Sequence, residues 1–164
     1  MTQYNIIAES QEYTVVAEFD HVATPAEAYQ SEADLEKEFI RLLGEQGYEY
    51  LPIHKEADLI FNLRDQLEKL NHYHFTDNEW EHFFNECIAN KNDDIVAKTA
   101  KIQDDYIQVL KRDTGESQNI KLIDKDNIHN NFVQVINQYV EEGGNYDTRY
   151  DVSILVNGLP LVHI

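Results

Sequence analysis

Apolar and polar positions alternate with one period in the first part of this chain and with another in the second. In SEADLEKEFIRLLGEQG, residues 31–47, Leu35, Phe39, Leu42 and Leu43 recur at helical spacing and predict an amphipathic helix. Ser31 can cap it, and Glu32 and Asp34 fall in the first turn, where the helix dipole favours acid. Gly47 suits the position just past the last turn. Residues 1–30 hold one predicted strand, EYTVVAEF, and a polar loop through Thr24-Pro25, while YEYLPI after the helix reads as a short strand. Residues 57–101 return to the helical period: Leu59, Leu63, Leu67 and Leu70 recur at i, i+4, i+8 and i+11. Thr76 and Glu79 have capping-box spacing ahead of Trp80, Phe83, Phe84 and Cys87 on one face, and DDIVAKTAKIQ predicts a third helix.

The period then shortens to two. DYIQVLKR and NIKLID flank DTGESQ as a hairpin with a Gly-containing loop. NNFVQVINQYVEE, rich in β-branched residues, reads as a strand, with a helix as the alternative. GGN interrupts it, with Gly143-Gly144 as a turn, and RYDVSILVNGLPLVHI reads as two apolar strands around Asn157-Gly158. The expected fold class is α+β in a single domain, 1–164, with a mixed, mainly antiparallel sheet, flanking helices and a helical insertion at about 57–101. Repeats, low-complexity tracts and Pro-rich linkers are absent from the sequence.

Composition narrows the setting. Of 164 residues, 42% are hydrophobic and 11% aromatic, which suffices for a core. No stretch reaches the ~20 apolar residues of a membrane span, and the first residues carry no secretory pattern. A lone cysteine, Cys87, excludes an internal disulfide and fits a reducing compartment, so the expectation is a cytoplasmic protein without a membrane partner. Asp and Glu number 31 against 13 Lys and Arg, a net charge of −18. That balance repels nucleic-acid phosphates at long range. It suits a partner-binding module, a metal-dependent site or a mimic of DNA charge, as well as plain solubility.

Asp151 is the residue with the most chemical promise. It opens a strand whose other residues include Val152, Ile154, Leu155 and Val156, and a carboxylate among such neighbours is costly to bury unpaired. Two readings stand side by side: a strand-edge residue, solvated or paired with Arg149, and a metal ligand at the mouth of a sheet. A hairpin can bring two carboxylates together on one sheet face, and Mg²⁺ is held by one or two carboxylates with waters and substrate phosphate. The second carboxylate and a Lys would then lie on the strand after NGLP.

RYDVSILVNGLPLVHI resembles the nuclease segment of the R (restriction and motor) subunit of type I restriction–modification enzymes. YQSEADLEKEFIRLLGEQGYEYL is similar to the first nuclease helix of that family, and IDKDNIHNNFVQVINQY to its strand before the catalytic hairpin. The resemblance spans nearly the whole chain and is weakest in the helical block. It implies a PD-(D/E)xK restriction-endonuclease-like fold, truncated here because the family's hairpin 149–164 continues into Glu-x-Lys. It implies Asp151 as the first metal-binding carboxylate, Glu32 as a supporting acid on the first helix, and Mg²⁺ as the cofactor. It further implies cleavage of double-stranded DNA coupled to ATP-driven translocation by downstream domains, and methyltransferase and specificity subunits as partners. This segment, as an N-terminal part, is expected to be inactive alone and to bind no ATP, since it has no GxxxxGK[ST] loop. The competing class is an acidic interaction module or DNA-mimicking inhibitor without catalysis.

One geometric expectation follows. In a strict two-residue turn at Asn157-Gly158 with regular strands, residue 151 lies opposite 164, and the following residue faces away from Asp151. The family chemistry needs that following residue on the Asp151 side, so an odd-numbered loop is expected, with His163 on the face of Asp151 and Ile164 on the other. Glu36, one turn from Glu32, is a weaker candidate acid, with an acidic, dipole-complementing first turn as the alternative for both. His72 and His74, bracketing Tyr73, lack further ligands at zinc spacing, and Cys87 reads as core.

Overall fold

The computed structural model describes residues 4–9, 15–19, 31–141 and 148–164, with side chains placed over 31–139 and 151–164. These residues fall into two compact units, Met1–Leu35 and Glu36–Ile164. In the first, strands β1 (Tyr4–Glu9) and β2 (Val15–Phe19) pair antiparallel. Only the second of these was predicted. YNIIAE places two isoleucines side by side, so it shows no period of two.

Helix α1 (Glu32–Glu45) starts where Ser31 predicts. The Asp34 amide donates to Ser31 Oγ at 3.2 Å, and Ser31 Oγ donates to Asp34 at 2.7 Å. The second unit then contains β3 (Glu49–Tyr50), α2 (Glu56–Asn71), α3 (Asp77–Phe83) with a π turn over Phe84–Ile88, and α4 (Ile95–Gln103). There follow β4 (Ile107–Lys111), β5 (Ser117–Lys121), β6 (Val133–Glu141), β7 (Thr148–Val156) and β8 (Leu159–His163). The strand reading of NNFVQVINQYVEE holds, and the class is α+β with antiparallel pairing dominant. YEYLPI shrinks to Glu49–Tyr50 because Pro52 has no N–H to offer a ladder; the Leu51 amide makes the last bond, to Val135 at 2.9 Å. The turn at Gly143-Gly144 lies outside the described residues.

The central sheet has the order β3-β6-β7-β8, with β3 parallel to β6 and the other pairs antiparallel. Alternation gives it two apolar faces. Val135, Val152 and Ile154 pack against Phe39, Ile40 and Leu43 of α1. Leu35 and Leu42, counted into the stripe from their spacing, are exposed. The working face of α1 is therefore 36, 39, 40 and 43. Ile136 and Leu155, on the opposite face, pack with Ile53, Leu51 and Leu59 at the start of α2. Buried amides fix α2 there: Asn62 Nδ2 donates to Gln134 Oε1 at 2.9 Å, Gln134 Nε2 donates to Glu49 at 3.0 Å, and Gln66 Nε2 donates to Asn62 at 3.3 Å. A third cluster joins Leu63, Leu67, Phe75, Trp80 and Phe83 to Leu110, Ile120 and Leu122 of the β4–β5 region. The half-buried Cys87 packs against this cluster, and burial pushes its thiol above the ordinary value.

Glu79 is the buried acid of the helical block, 3% exposed. The predicted capping box forms, with Glu79 N–H donating to Thr76 Oγ1 at 3.1 Å and Thr76 N–H donating to Glu79 at 3.1 Å. Its carboxylate also accepts from Tyr73 OH at 2.7 Å and from the Asp113 amide at 3.1 Å, tying α3 to the β4–β5 turn. Burial pushes the Glu79 carboxyl up, but these hydrogen bonds outweigh it and hold the group below the ordinary carboxylate range. A carboxyl depressed on folding contributes stability above its unfolded value, about 4.3, and loses it as pH falls through the lower folded value. Urea midpoints measured from pH 6 down to pH 3 are therefore expected to fall in the wild type. In Glu79→Gln the acid limb should be shallower; an unchanged limb would place the acid sensitivity elsewhere.

Asn157 secures the last hairpin from below. It is 0% exposed, with φ 51. Its amide Nδ2 donates to Leu122 O at 3.0 Å and Asn131 Oδ1 at 2.8 Å, and its Oδ1 accepts from the Phe132 amide at 2.8 Å. Asn157→Ala orphans the Phe132 amide and Leu122 O, while Asn131 Oδ1 keeps the Asp124 amide, and it replaces a residue type that tolerates the left-handed region with one that does not, so it is expected to cost about 2–4 kcal/mol, read by chemical denaturation. Asn157→Gly, which keeps the turn conformation, should lose less; equal losses would mean that the turn conformation contributes nothing.

Candidate functional site

The β7–β8 hairpin sets the geometry around Asp151. Asn157 at φ 51 and Gly158 at φ 81 make a two-residue turn between the paired Val156 and Leu159. The loop is thus even, not odd. The odd residue sits instead in β8: Leu155 pairs with Pro160 and Ile154 with Val162, so Leu161 is a bulge. Pro160 lacks the N–H that a regular ladder would use, which favours an irregularity at this point. The bulge shifts the register of β8 by one residue beyond it. Ser153 pairs with His163, and the Ile164 amide donates to Val152 O at 2.8 Å. His163 therefore shares the Ser153 face and Ile164 the Val152 face, while the Asp151 and Val152 amides both donate to Ile164 O, at 3.1 and 3.2 Å, an irregularity that interrupts alternation at Asp151.

Asp151 is exposed, and no described side chain bonds its carboxylate. Its amide donates to Ile164 O at 3.1 Å. Two residues along, Ser153 is 1% exposed, and its hydroxyl lies 2.8 Å from His163 Nδ1. This pair lines a cleft of about 560 Å³ between the sheet and the start of α2, with His54, Lys55, Leu59 and Tyr139. Asp151 is not one of the lining residues, although it lies two residues from Ser153 on the same strand. Among the described residues there is no cluster of three His, Cys, Asp or Glu side chains able to enclose a metal. The donor set fits Mg²⁺ only in part. Asp151 offers one carboxylate that no described side chain bonds, and this ion keeps most of its waters and takes one or two protein carboxylates.

The other sequence candidates are spread out. Glu32 is exposed in the first turn of α1, within the first compact unit. Glu36, on the sheet-facing stripe of α1, accepts from Asn137 Nδ2 and from Gln138 Nε2, each at 2.5 Å. His72 has φ 50 as the cap of α2, and His74 Nδ1 lies 2.8 Å from Glu68. The side chain of Arg149 lies outside those described. Sequence reasoning missed Gln138, which has φ 55 in the middle of β6. It also missed the Ser153–His163 pair. Glu36 did leave a trace: an acid at a position that recurs with Phe39, Ile40 and Leu43.

Residues 29–164 match the family described as type I restriction enzyme R protein N terminus. The chain is similar to the type I restriction enzyme EcoprrI endonuclease subunit of Escherichia coli, 45% identical over 159 residues, covering 96% of this chain and 50% of that protein. It is 37% identical over 141 residues to the SsaAORF53P endonuclease subunit of Staphylococcus saprophyticus, covering 83% of this chain and 14% of that protein. It is 35% identical over 142 residues to the SauMSSORF170P endonuclease subunit of Staphylococcus aureus, covering 84% and 15%.

Proposed function

The chain belongs to the family of type I restriction enzyme R protein N termini, and from that premise we propose that it is the N-terminal part of the nuclease domain of an R subunit that cleaves double-stranded DNA with Mg²⁺. The observation that carries this reading is an exposed Asp151 tied to the end of the neighbouring strand, its amide donating to Ile164 O at 3.1 Å. A Glu and a Lys on a continuation of β8 would complete a metal site beside it. When bound, the ion would supply charge stabilisation for the phosphoryl oxygens and a water of lowered pKa.

The residues of this chain have their own tasks. Asp151 would hold the ion at the sheet mouth through a carboxylate that is exposed and bonded by no described side chain. Ser153 and His163, bonded across the two strands, keep the β8 end in register with β7. The acidic surface would leave the positive DNA track to other parts of the protein and to its methyltransferase and specificity subunits. ATP-driven translocation would likewise belong to other domains. No helix among the described residues is long and apolar enough to cross a membrane.

The test is metal dependence in a chain extended by roughly fifty residues past Ile164. Nicking of supercoiled DNA is expected with Mg²⁺ and not with chelator, and the 164-residue segment should be inert under both conditions. Nicking by the extended chain in excess chelator would overturn the reading.

A further inference from the structure

We infer that Glu36 is a positioning residue for the metal site, acting through the backbone of β6; the inference rests on the proposed nuclease reading. The β6–β7 ladder pairs Asn137 with Val152 and Tyr139 with Tyr150, and the step between, Gln138 against Asp151, carries no pairing. At that step Gln138 adopts φ 55. A non-glycine residue rarely takes this left-handed conformation inside a strand, and such a conformation persists only where its surroundings enforce it.

The enforcing group is visible. Glu36 projects from the sheet-facing stripe of α1 and accepts two hydrogen bonds at 2.5 Å, from the side chains of Asn137 and Gln138. Asn137 is held from its other side by Tyr50 OH, which donates to its Oδ1 at 2.8 Å. The kink changes the phase of β6: Ile136 and Tyr139, an odd number of residues apart, both line the cleft. In a regular strand they would face opposite ways. So an acid on a helix fixes an irregular step of one strand, directly across from the exposed acid of the next. Charge-assisted bonds of this kind hold direction as well as position. Without the Glu36 carboxylate, Gln138 has no reason to stay left-handed. The strand relaxes toward regular pairing, and the Asp151 end of β7 shifts with it.

The experiment compares variants of the full-length endonuclease subunit, read by Mn²⁺ affinity from electron paramagnetic resonance and by the Mg²⁺ concentration for half-maximal cleavage. Glu36→Ala is expected to weaken both by about 10- to 100-fold, the range for residues that orient a ligand, with ATP hydrolysis unchanged. Adding Gln138→Gly to Glu36→Ala should recover most of the loss, because glycine takes a positive φ without help. A direct metal ligand could not be rescued in this way, and a merely structural residue would lower the melting temperature without moving the metal affinity. Unchanged Mn²⁺ affinity in Glu36→Ala, or no rescue by Gln138→Gly, overturns the inference while leaving Asp151 in its role. If Asp151→Ala itself leaves Mn²⁺ affinity unchanged, the metal-site reading falls first and takes this inference with it.

Discussion

Asp151→Ala in the full-length subunit is expected to reduce DNA cleavage at least about a thousandfold while leaving the fold intact. The size follows from what the carboxylate would do. A metal ion placed at a phosphoryl group contributes several kcal/mol of transition-state stabilisation, and about 4 kcal/mol corresponds to a thousandfold in rate. Stability should barely respond, within about 0.5 kcal/mol, because the side chain is exposed and no described side chain bonds it. The same exposure makes Asp151→Asn informative. It keeps the shape and removes the charge, so it too should lose cleavage. Supercoiled-plasmid linearisation, paired with ATP hydrolysis and a melting curve, separates loss of chemistry from loss of fold. Cleavage that survives both substitutions with ATP hydrolysis intact would remove Asp151 from the site.

The elements with strong local signals were legible because local signals made them. The Thr76–Glu79 capping box forms as its spacing predicts. The stretch from Ser31 to Gly47 forms α1, and the apolar runs around Asn157-Gly158 form β7 and β8. What the sequence hid was set by contacts between distant residues. Leu42 satisfies the helical period as well as Leu43 does, yet only Leu43 meets Val135 and Val152, since the sheet covers less of the helix than the stripe offers. The odd residue of the hairpin was expected in the turn, where glycine advertises irregularity, but it sits at Leu161, an unremarkable apolar residue. Gln138 is the clearest case. Nothing in its side chain favours a positive φ; the reason lies in Glu36, held on another element. Asp151 stood out because a carboxylate heading an apolar strand breaks a local pattern. Glu36 stood out less, because Asp34, Lys37 and Glu38 lie close to it in sequence.

Gly158→Ala is the substitution expected to damage the fold most, and the reason is a single close approach. A β-carbon at Gly158 would stand 2.6 Å from Leu63 Cα, 3.0 Å from Leu63 N and 3.3 Å from Leu63 Cβ. These are mostly backbone atoms of a buried turn of α2, so no rotamer change relieves the clash. Leu63 cannot retreat, because it packs with Leu67, Phe83 and Leu159 in the largest cluster. The residue also has φ 81, where a β-carbon adds strain of its own. Strain of about 1–2 kcal/mol and overpacking of about 1–3 kcal/mol give an expected loss of about 2–5 kcal/mol by urea unfolding. Gly115→Ala supplies the comparison. Gly115 has φ 85 but open space around it, so only the strain should register. The difference between the two losses measures the contact with α2. Equal losses would mean that the hairpin turn can lift away from the helix, and that the register of β8 against β7 does not depend on Leu63. A larger loss at Gly158 would mean that α2, from the block expected to be an insertion, fixes the turn and through it the strand that faces Asp151.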